Sequence, residues 1–564
     1  MLNDKQRHVA YNCPGNTIVS ASPGSGKTRT LVARAQHKLE TLPAHKALAL
    51  ITFTNAGADE IAERLVIKEH NVFIGTIHRF CLEFILRPFG WLYDWERPRI
   101  ITNDELLEFV ELNQKTITFG NSPLDEINLI KRNVNGELDL DVDWSNARAL
   151  EYVAELYFAF LQSKKAIDFN EILYRSYKIV SENPFVVNSL ANKFYEISID
   201  EFQDTNIFQY EIFRIINTKN VSTFFMVGDE KQRIYRFAGA MDNAFTQASG
   251  EFNTPIEILE VTYRSTQNII NAYSALFGNH PNLQNESEYK DEDIPISVVE
   301  TQNANHNDTV QRTIEFLLNA NVPLHEIAIL STRWQDALLI SRALRNRYRV
   351  VGLGALPHRH VNNSTFSLLR SVCRFMYSNT VRNIRIIKRN IELHDLENGF
   401  GLSEVQINGL CNNLIFKFSG IDKNLVLEDG MLIFKEIFDD AFKISHETFL
   451  EILQMVDEEE KPHWTTERYM ETLSGVAGIT VNTIHQAKGL EYDAVILNSI
   501  NENRLPYQQL IDRSTWTYSP LTPESIEDGR TLLYVGISRA KVFLSILHNW
   551  RPSMFIPIVR RTLN

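Results

Sequence analysis

The segment 21–28 constrains the fold of this chain more than any other stretch, because it reads ASPGSGKT between a strand-like run and a helical stretch. The apolar run Thr17–Ala21 precedes it, and a helix is predicted to begin near Thr28. Glycines in such a loop let backbone N–H groups turn inward around a phosphate, and the helix N-terminus adds partial positive charge. The order strand, loop, helix therefore predicts a phosphate-binding loop in an α/β fold.

Two side chains at the end of this loop suit the phosphates of a nucleoside triphosphate. Lys27 can reach the β- and γ-phosphates, and the hydroxyl of Thr28 suits a Mg²⁺ ligand. The loop departs from the usual pattern at its first position, where Ala21 stands in place of glycine and adds one methyl group. A surface loop rich in glycine and serine is the alternative interpretation.

Paired carboxylates follow a second strand-like run. Residues 197–201 read ISIDE, an apolar strand that ends in two acids and is predicted to lie next to the strand of the phosphate loop. Asp200 would hold Mg²⁺ and Glu201 would polarise the attacking water as general base. Paired acids at this position can also be a helix N-cap, but together with the loop they predict hydrolysis of a nucleoside triphosphate.

Short β-branched runs alternate with helical stretches along the chain, which is typical of buried parallel strands in α/β layers. The predicted strands are 17–21, 48–53, 195–200, 223–228 and 256–261, followed by 294–299, 326–331, 479–483, 493–497 and 542–547. We therefore predict two tandem parallel sheets. Each is interrupted by a mainly helical block, near 85–178 and 371–470.

Composition excludes several classes of protein. With 564 residues, 44% of them hydrophobic, the chain can form about three or four domains and is too apolar for an intrinsically disordered protein. The four cysteines form no C-x-x-C pair, which argues against a zinc ribbon, an iron–sulfur cluster or a disulfide framework. Because no apolar run or signal-peptide pattern is found, we expect a cytoplasmic protein without a membrane partner. The net charge of −13 argues against a nucleic-acid coat protein but allows a local basic groove.

A set of short motifs, in one order from Gln6 to Arg539, resembles the motifs of the UvrD/Rep/PcrA type of superfamily 1 DNA helicase. In the first half they are LNxxQ (2–6), TFTN (52–55), GTIHRF (75–80), DF (168–169), IDEFQDTN (199–206) and VGDEKQRIYRF (227–237). In the second half they are TYRS (262–265), TIHQAKGLE (483–491) and LYVGISRA (533–540). The ordered set carries the resemblance rather than any single motif.

The resemblance implies that ATP and Mg²⁺ bind between two RecA-like domains. Gln6 would read the adenine edge, Tyr263 would stack on adenine and Glu491 would contact the ribose. The nucleotide-binding residues that it implies are Gln6, Ser22, Pro23, Gly24, Ser25, Gly26, Lys27, Thr28, Arg29, Tyr263, Arg264, Glu491 and Arg539.

Arg264 and Arg539 belong to the predicted second sheet, which has no phosphate loop of its own. If the two sheets face each other, both guanidinium groups can reach a γ-phosphate held by the first sheet. An arginine supplied in this way increases the rate by about 10³–10⁵ and acts only when the cleft is closed. In the family, the residue at Gln232 senses the γ-phosphate. The predicted catalytic residues are Lys27, Asp200, Glu201, Gln232, Arg264 and Arg539, and the predicted Mg²⁺ ligands are Thr28 and Asp200.

Binding of single-stranded DNA needs aromatic platforms for bases and polar or basic groups for phosphates. Within the motifs, the predicted platforms are Phe53, Tyr235 and Phe237, and the predicted backbone contacts are Thr54, His78, His485 and Lys488. Phe53 and Phe237 are also compatible with core positions. The basic stretch 374–389 is interpreted as an amphipathic helix face, with contact to duplex DNA or a protein as the alternative.

The predicted domains follow from the motifs and the two helical blocks. The first RecA-like domain comprises 1–84 and 179–258, with a helical insert at 85–178. The second comprises 259–370 and 471–564, with a helical insert at 371–470.

These features predict an ATP-dependent single-stranded DNA translocase or helicase, 3′-to-5′ if the polarity of the family applies, acting on single-stranded or tailed duplex DNA. Residues 235–240 read YRFAGA where the family usually has Y-x-W-R-G-A, so Phe237 and Ala238 replace a tryptophan and an arginine. The alternative is a DNA-activated regulatory or scaffold ATPase with little unwinding of its own. In that case it would resemble the helicase-like subunit of Gabija-type anti-phage systems, which assembles with an OLD-type nuclease. A general P-loop ATPase without DNA is a third possibility.

Overall fold

The computed structural model describes residues 2–562, apart from 67–70, 96–98, 114–122, 140–146, 237–238, 279, 303–304, 360, 362, 513–514 and 516. Two six-stranded parallel sheets form its framework, which confirms the predicted fold of two tandem parallel-sheet domains. Among the described helices, none combines the length and apolarity that a membrane span requires.

The first sheet has the strand order β3-β2-β6-β7-β1-β8. Its strands are β1 (Thr17–Ala21), β2 (Ala47–Thr52), β3 (Val72–Thr76), β6 (Phe194–Ile199), β7 (Thr223–Gly228) and β8 (Ile256–Leu259). The strands β1, β2, β6 and β7 are almost entirely buried, because helices cover both faces of a parallel sheet. The strand β8 pairs with β1 from Ile18 opposite Ile256 to Ala21 opposite Leu259.

The second sheet has the strand order β11-β18-β15-β12-β14-β13. Its strands are β11 (Ser297–Glu300), β12 (Ile327–Ser331), β13 (Val350–Gly352), β14 (Ile479–Thr483), β15 (Tyr492–Asn498) and β18 (Ala540–His548). Three two-stranded ribbons complete the described strands: β4 (Arg99–Ile100) with β5 (Ala166–Ile167), β9 (Val261–Thr262) with β10 (Gln284–Asn285), and β16 (Leu510–Asp512) with β17 (Thr517–Tyr518).

Helices surround the first sheet and form its insert. They are α1 (Asp4–Arg7), α2 (Lys27–Glu40), α3 (Asn55–Arg64), α4 (Ile77–Cys81), α5 (Arg87–Phe89), α6 (Asn103–Asn113), α7 (Pro123–Ile127), α8 (Ala147–Ser163), α9 (Phe169–Glu182), α10 (Pro184–Lys193), α11 (Ile207–Asn217) and α12 (Ala244–Glu251). A short π-helical stretch, His8–Asn12, continues α1, and another, Leu82–Leu86, joins α4 to α5.

The remaining helices belong to the second half. They are α13 (Gln267–Ser274), α14 (His306–Asn319), α15 (Trp334–Leu344), α16 (Ser364–Tyr377), α17 (Val381–Asn398), α18 (Glu404–Ser419), α19 (Leu427–Phe442), α20 (Thr448–Met455), α21 (Thr466–Ser474), α22 (Pro523–Ile537) and α23 (Ile556–Arg561). The helices α16 to α21 enclose a core of their own that includes Val372, Phe434 and Tyr469, so this block packs as a separate unit.

Four of the five predicted domain limits fall inside helices. Position 84/85 lies in the π-helical stretch, 178/179 in α9, 370/371 in α16 and 470/471 in α21. Because a helix packs as one unit, we propose to move the limits of the second insert to 363/364 and 474/475. The limit at 258/259 lies one residue before the end of β8.

Candidate nucleotide and DNA site

The loop between β1 and α2 has the backbone that the sequence predicts for a phosphate site. Gly24 and Gly26 adopt left-handed conformations with φ of +70° and +79°, and α2 begins at Lys27. The Oγ of Ser25 is buried and has no hydrogen-bond partner among the described residues. Among the described residues, the ammonium of Lys27 donates one long bond of 3.3 Å, to the carbonyl of Ala21. A buried hydroxyl without a partner, an available ammonium and a helix N-terminus fit a triphosphate group.

The predicted adenine-binding residues lie beside this loop. Gln6 is fully buried and donates from Nε2 to the carbonyl of Ser25 at 2.8 Å. The hydroxyl of Tyr263 accepts from Asn3 Nδ2 at 2.9 Å, and the guanidinium of Arg29 lies 5.9 Å from the Tyr263 ring centroid. The amino-terminal turn and the segment after β8 therefore form two sides of one recess at the phosphate loop.

The segment that carries Arg264 contacts the phosphate loop directly. Thr262 Oγ1 donates to the carbonyl of Pro23 at 2.9 Å, and the N–H of Tyr263 donates to the carbonyl of Gly24 at 2.9 Å. A Cβ atom added at Gly24 would lie 2.5 Å from the Cβ of Arg264. The phosphate loop and a residue predicted for the second domain are thus in van der Waals contact.

Asp200 and Glu201 lie just beyond the carboxyl end of β6, as predicted, but β6 is not the neighbour of β1. The strand β7 lies between them, so the expectation of adjacent strands is wrong. Burial and the charge of Glu201 raise the pKa of Asp200 well above its ordinary value, although Lys27 opposes this shift. Burial also acts to raise the pKa of Glu201, but Lys27 and Lys488 outweigh it and hold that pKa below its ordinary value.

A chain of hydrogen bonds joins the two halves through Gln232. The N–H of Asp229 donates to Gln203 Oε1 at 2.8 Å, and Gln232 Nε2 donates to Asp229 Oδ2 at 2.9 Å. The hydroxyl of Tyr534 donates to the same Asp229 oxygen at 3.3 Å. Arg539 Nη2 then donates to Gln232 Oε1 at 3.2 Å, so a guanidinium of the second half holds the side chain of Gln232.

The two predicted arginines lie close to one another. Arg539 is buried, and burial together with the positive charge of Arg264 lowers its pKa to about 9, so it stays charged at neutral pH. Arg264 Nη1 donates to the carbonyl of Ser538 at 3.0 Å, and its Nε lies 2.8 Å from Glu491 Oε2. Glu491, predicted to contact ribose, is half-exposed and forms an ion pair with Arg264.

The predicted aromatic platforms form a stack. The rings of Phe53 and Tyr235 lie 4.6 Å apart with an angle of 25° between their planes. The hydroxyl of Tyr235 donates to the carbonyl of His485 at 3.2 Å, so the stack also touches the second half. Phe237, the third predicted platform, lies outside the described residues.

The predicted backbone contacts have different environments. Thr54 is exposed and its hydroxyl caps α3 by accepting the N–H of Gly57 at 3.1 Å. His78 is half-buried, with Phe169 at 5.2 Å, and burial lowers its pKa to about 4. Burial and the charge of Lys488 lower the pKa of His485 to about 4 as well. At neutral pH both imidazoles are neutral hydrogen-bonding groups rather than cations.

Lys488, a predicted contact to the DNA backbone, is buried and already has partners within the protein. Its side chain is 5% exposed, and its ammonium lies 2.5 Å from Asp204 Oδ2 and donates to the carbonyl of Gln232 at 2.7 Å. A buried ammonium that is already paired is not available to a DNA phosphate in this conformation. The sequence does not reveal this burial, because it depends on contacts between residues 284 positions apart.

Sequence reasoning missed four residues of this site: Gln203, Asp204, Asp229 and Tyr534. All four lie inside the quoted motifs, so their presence in a motif could have identified them as candidates. Their partners come from distant segments, which local patterns do not reveal.

Known proteins with similar sequences are DNA helicases. Residues 2–253 match the UvrD/REP helicase N-terminal domain and residues 425–549 match the UvrD-like helicase C-terminal domain. The chain is 25% identical to a protein named DNA helicase II from Rickettsia typhi, covering 99% of this chain and 93% of that protein. It is 26% identical to a protein named ATP-dependent DNA helicase PcrA from Staphylococcus aureus, covering 97% of this chain and 83% of that protein. These matches confirm the predicted enzyme class of ATP-dependent DNA helicases, and the chain belongs to the UvrD/Rep helicase family.

Proposed function

We propose that this protein translocates along single-stranded DNA from 3′ to 5′ and unwinds tailed duplexes, using ATP bound between its two halves. The observation that carries the proposal is the contact between Arg539 of the second half and Gln232 of the first. It brings the guanidinium of the residue that directly precedes β18 of the second sheet to the segment that follows β7, and β7 pairs with β1, the strand that leads into the phosphate loop. Closure of the cleft would then also bring Arg539 into the nucleotide site and so complete it.

We propose that Lys27, the backbone of 22–28 and Arg264 hold the phosphates, while Gln6, Arg29 and Tyr263 hold the adenine. The contact of Gln6 with the Ser25 carbonyl and that of Tyr263 with Gly24 support this assignment. Glu491 would turn from Arg264 toward the ribose when nucleotide binds.

Thr28 and Asp200 are the residues that would hold Mg²⁺. They fit the ion, since Asp200 is a buried carboxyl group whose pKa is raised by burial and by the charge of Glu201, and a bound cation would offset both effects. Bound there, the ion would neutralise charge on the phosphate oxygens. Glu201 is held ionised by its cationic neighbours and would accept a proton from the attacking water.

Arg264 and Arg539 would stabilise the charge that develops on the γ-phosphate. An arginine supplied across a cleft contributes about 10³–10⁵ in rate, equivalent to about 4–7 kcal/mol. Because Arg539 also holds Gln232, its withdrawal on opening would remove both groups together. Hydrolysis would therefore require the closed form.

The stacked pair Phe53 and Tyr235 would open to admit a base. Both residues follow strands of the first sheet, and Tyr235 also contacts the His485 carbonyl, so a base inserted between the rings would alter a contact between the halves. Stacking of a base on an aromatic ring contributes about 1–3 kcal/mol and tolerates any sequence. The 3′-to-5′ direction rests on membership of the family.

Two assays on the purified protein test this proposal. ATP hydrolysis is measured with and without a single-stranded oligonucleotide, and strand separation is measured on duplexes with a 3′ tail or a 5′ tail. We expect stimulation by the oligonucleotide and separation of the 3′-tailed duplex alone. Equal rates with and without oligonucleotide would contradict DNA-driven hydrolysis, and preference for the 5′ tail would contradict the direction.

A second candidate is favoured by the replacement of the motif III tryptophan and arginine by Phe237 and Ala238. In this case the protein is a DNA-activated ATPase subunit of an antiviral nuclease complex and unwinds little on its own. Stimulated hydrolysis without separation of any tailed duplex, until an OLD-type nuclease is added, would favour this candidate. Both candidates predict activity in the cytoplasm.

A further inference from the structure

Lys488 is buried at the contact between the two halves. It lies in the loop that follows β14 of the second sheet, and its side chain is 5% exposed. The two polar groups that it contacts, Asp204 and the Gln232 carbonyl, belong to the first half. The ammonium therefore crosses from one half to the other.

The first contact is with the segment that carries the candidate catalytic base. Asp204 ends a 3₁₀ turn, Phe202–Asp204, that begins directly after Glu201. Its carboxylate is fully buried, and Oδ2 lies 2.5 Å from the Lys488 ammonium. The other oxygen, Oδ1, has no hydrogen-bond partner among the described residues. Burial raises the pKa of Asp204 to about 7, and Lys488 is the main group that opposes this shift, so the position of Lys488 is costly to lose.

The second contact is with the backbone of Gln232. Lys488 donates to the Gln232 carbonyl at 2.7 Å, while Arg539 donates to the Gln232 side chain at 3.2 Å. Two cations of the second half therefore hold the same residue of the first half from both ends. A displacement of Lys488 would shift the side chain that Arg539 holds.

The third contact is with the aromatic stack. The Lys488 ammonium lies 5.0 Å from the centroid of the Tyr235 ring, within the range of a cation–π interaction. Tyr235 is the ring that stacks on Phe53. A base entering this stack would move Tyr235, and the ammonium against its face would have to follow.

We propose that Lys488 is a positioning residue that couples DNA bound at Phe53 and Tyr235 to the hydrolytic geometry of Gln232 and Glu201. The inference rests on the proposed function, because it presupposes that the stack binds DNA. The proposed role differs from direct contact with a DNA phosphate, for which the Lys488 side chain would have to point to solvent. It also differs from a purely structural ion pair, in which only the neutralisation of Asp204 would matter.

Three variants separate these roles: Lys488→Met, Asp204→Asn and the double variant. Each single change leaves one buried group without its partner and is expected to lower the thermal midpoint of unfolding. The double variant removes both charges and regains stability. If Lys488→Met does not fold, Asp204→Asn, which keeps the shape of the side chain, and the double variant carry the test. Lys541→Met is the matched control, since Lys541 pairs with Asp493 and Glu326 within the second half.

The readouts are the ratio of ATP hydrolysis with and without a single-stranded oligonucleotide, and the Kd of that oligonucleotide at several salt concentrations. We expect the double variant to show less than a tenth of the wild-type stimulation, with the Kd within twofold of wild type. Lys541→Met should keep the wild-type ratio.

Two results would overturn the inference alone. If the oligonucleotide stimulates ATP hydrolysis by the double variant as much as by the wild type, the pair of Lys488 and Asp204 is purely structural. A raised Kd with a salt slope reduced by about 1 would show a phosphate contact. Wild-type protein that no oligonucleotide stimulates would overturn the proposed function as well, so the two failures are distinguishable.

Discussion

Asp200 and Glu201 are neighbours at the end of β6, yet their carboxyl groups have opposite pKa shifts. Burial and the charge of Glu201 raise the pKa of Asp200, whereas Lys27 and Lys488 outweigh burial at Glu201. The difference is consistent with the two roles that we propose, Glu201 as the base that accepts a proton and Asp200 as a ligand of Mg²⁺. The sequence predicts both acids but not which cations reach them, because Lys488 comes from the other half.

A buried pair of imidazoles in the second insert should make the stability of the protein depend on pH. His394 Nε2 and His446 Nε2 lie 3.1 Å apart, His446 Nδ1 lies 3.1 Å from Asp439, and Ser364 Oγ lies 2.8 Å from His394 Nδ1. Two neutral rings satisfy this chain, with His446 donating to Asp439, His394 donating to His446 and Ser364 donating to His394. Burial, with a smaller effect of His446, lowers the pKa of His394 to about 3.

Because the folded protein binds a proton at His394 less readily than the unfolded chain does, its stability should fall with falling pH. The unfolded chain binds the proton with a pKa near 6.5, so the stabilisation is complete above that pH and is lost as the pH falls toward 3. Between pH 7.5 and pH 5, His394 alone should cost about 2 kcal/mol. We expect the apparent Tm to fall less steeply over this range in His394→Gln than in wild type. Identical slopes in the two proteins would contradict the neutral pair.

The strands that sequence predicts best are those buried on both faces. The predictions 17–21, 223–228 and 479–483 coincide with β1, β7 and β14. The strands β3 and β13 were missed, because Gly75 interrupts the apolar pattern of β3 and β13 spans only Val350–Gly352. Strand order could not be predicted either, since the position of β7 between β6 and β1 is set by pairing across distant segments.

The basic stretch 374–389 contacts the first half of the protein. Arg389 Nη1 lies 2.7 Å from Asp59 and Arg382 Nη1 lies 3.3 Å from Glu63, so α17 is held against α3 by ion pairs. The helix α3 begins after Phe53 and Thr54, which are candidate DNA contacts. The second insert is therefore docked on the helix that follows these residues.

Because partly exposed ion pairs contribute about 0.2–1 kcal/mol each, the docking of α17 on α3 should be easily weakened. We expect Arg389→Glu to increase amide hydrogen exchange in residues 55–64 by up to about fivefold, as charge repulsion from Asp59 replaces attraction. The exchanged pair Asp59→Arg with Arg389→Glu should restore protection. Unchanged exchange in the single variant would show that the ion pair does not hold the two helices together.

The phosphate loop and the segment that carries Arg264 lie so close together that a methyl group added at Gly24 should push them apart. A Cβ at Gly24 would lie 2.5 Å from the Cβ of Arg264 and 2.7 Å from Thr262 Oγ1. Gly15 has a similar φ of +73° but nothing within 4 Å of an added Cβ. Gly15→Ala is therefore the matched control, because it has the same backbone strain without the contact.

We expect Gly24→Ala to lower kcat/KM for ATP by about 10- to 100-fold, because displacement of a catalytic group by about 1 Å has effects of this size. Gly15→Ala should lose stability but keep its activity at a temperature where it is folded. Equal activities in the two variants would mean that the contact between the halves has no part in hydrolysis.

The motifs predicted residues from distant segments, such as Gln6 and Tyr263, that the structure places at the phosphate loop. Motif letters could not predict that Lys488 is buried, that Phe53 stacks on Tyr235 or that Tyr534 joins Asp229. All three contacts join distant segments of the chain, and those of Lys488 and Tyr534 also require the two halves to meet.

The most direct test of the whole account is the rate of ATP hydrolysis by Arg539→Lys with saturating single-stranded DNA. Lysine keeps a positive charge in the buried position, and the thermal midpoint of unfolding verifies that the variant is folded. Because a guanidinium acting across a cleft contributes about 10³–10⁵ in rate, we predict that kcat falls by at least about 10² while the Kd of a fluorescent ATP analogue changes by less than about threefold. A folded Arg539→Lys protein that hydrolyses ATP at the wild-type rate would contradict a nucleotide site shared between the two halves.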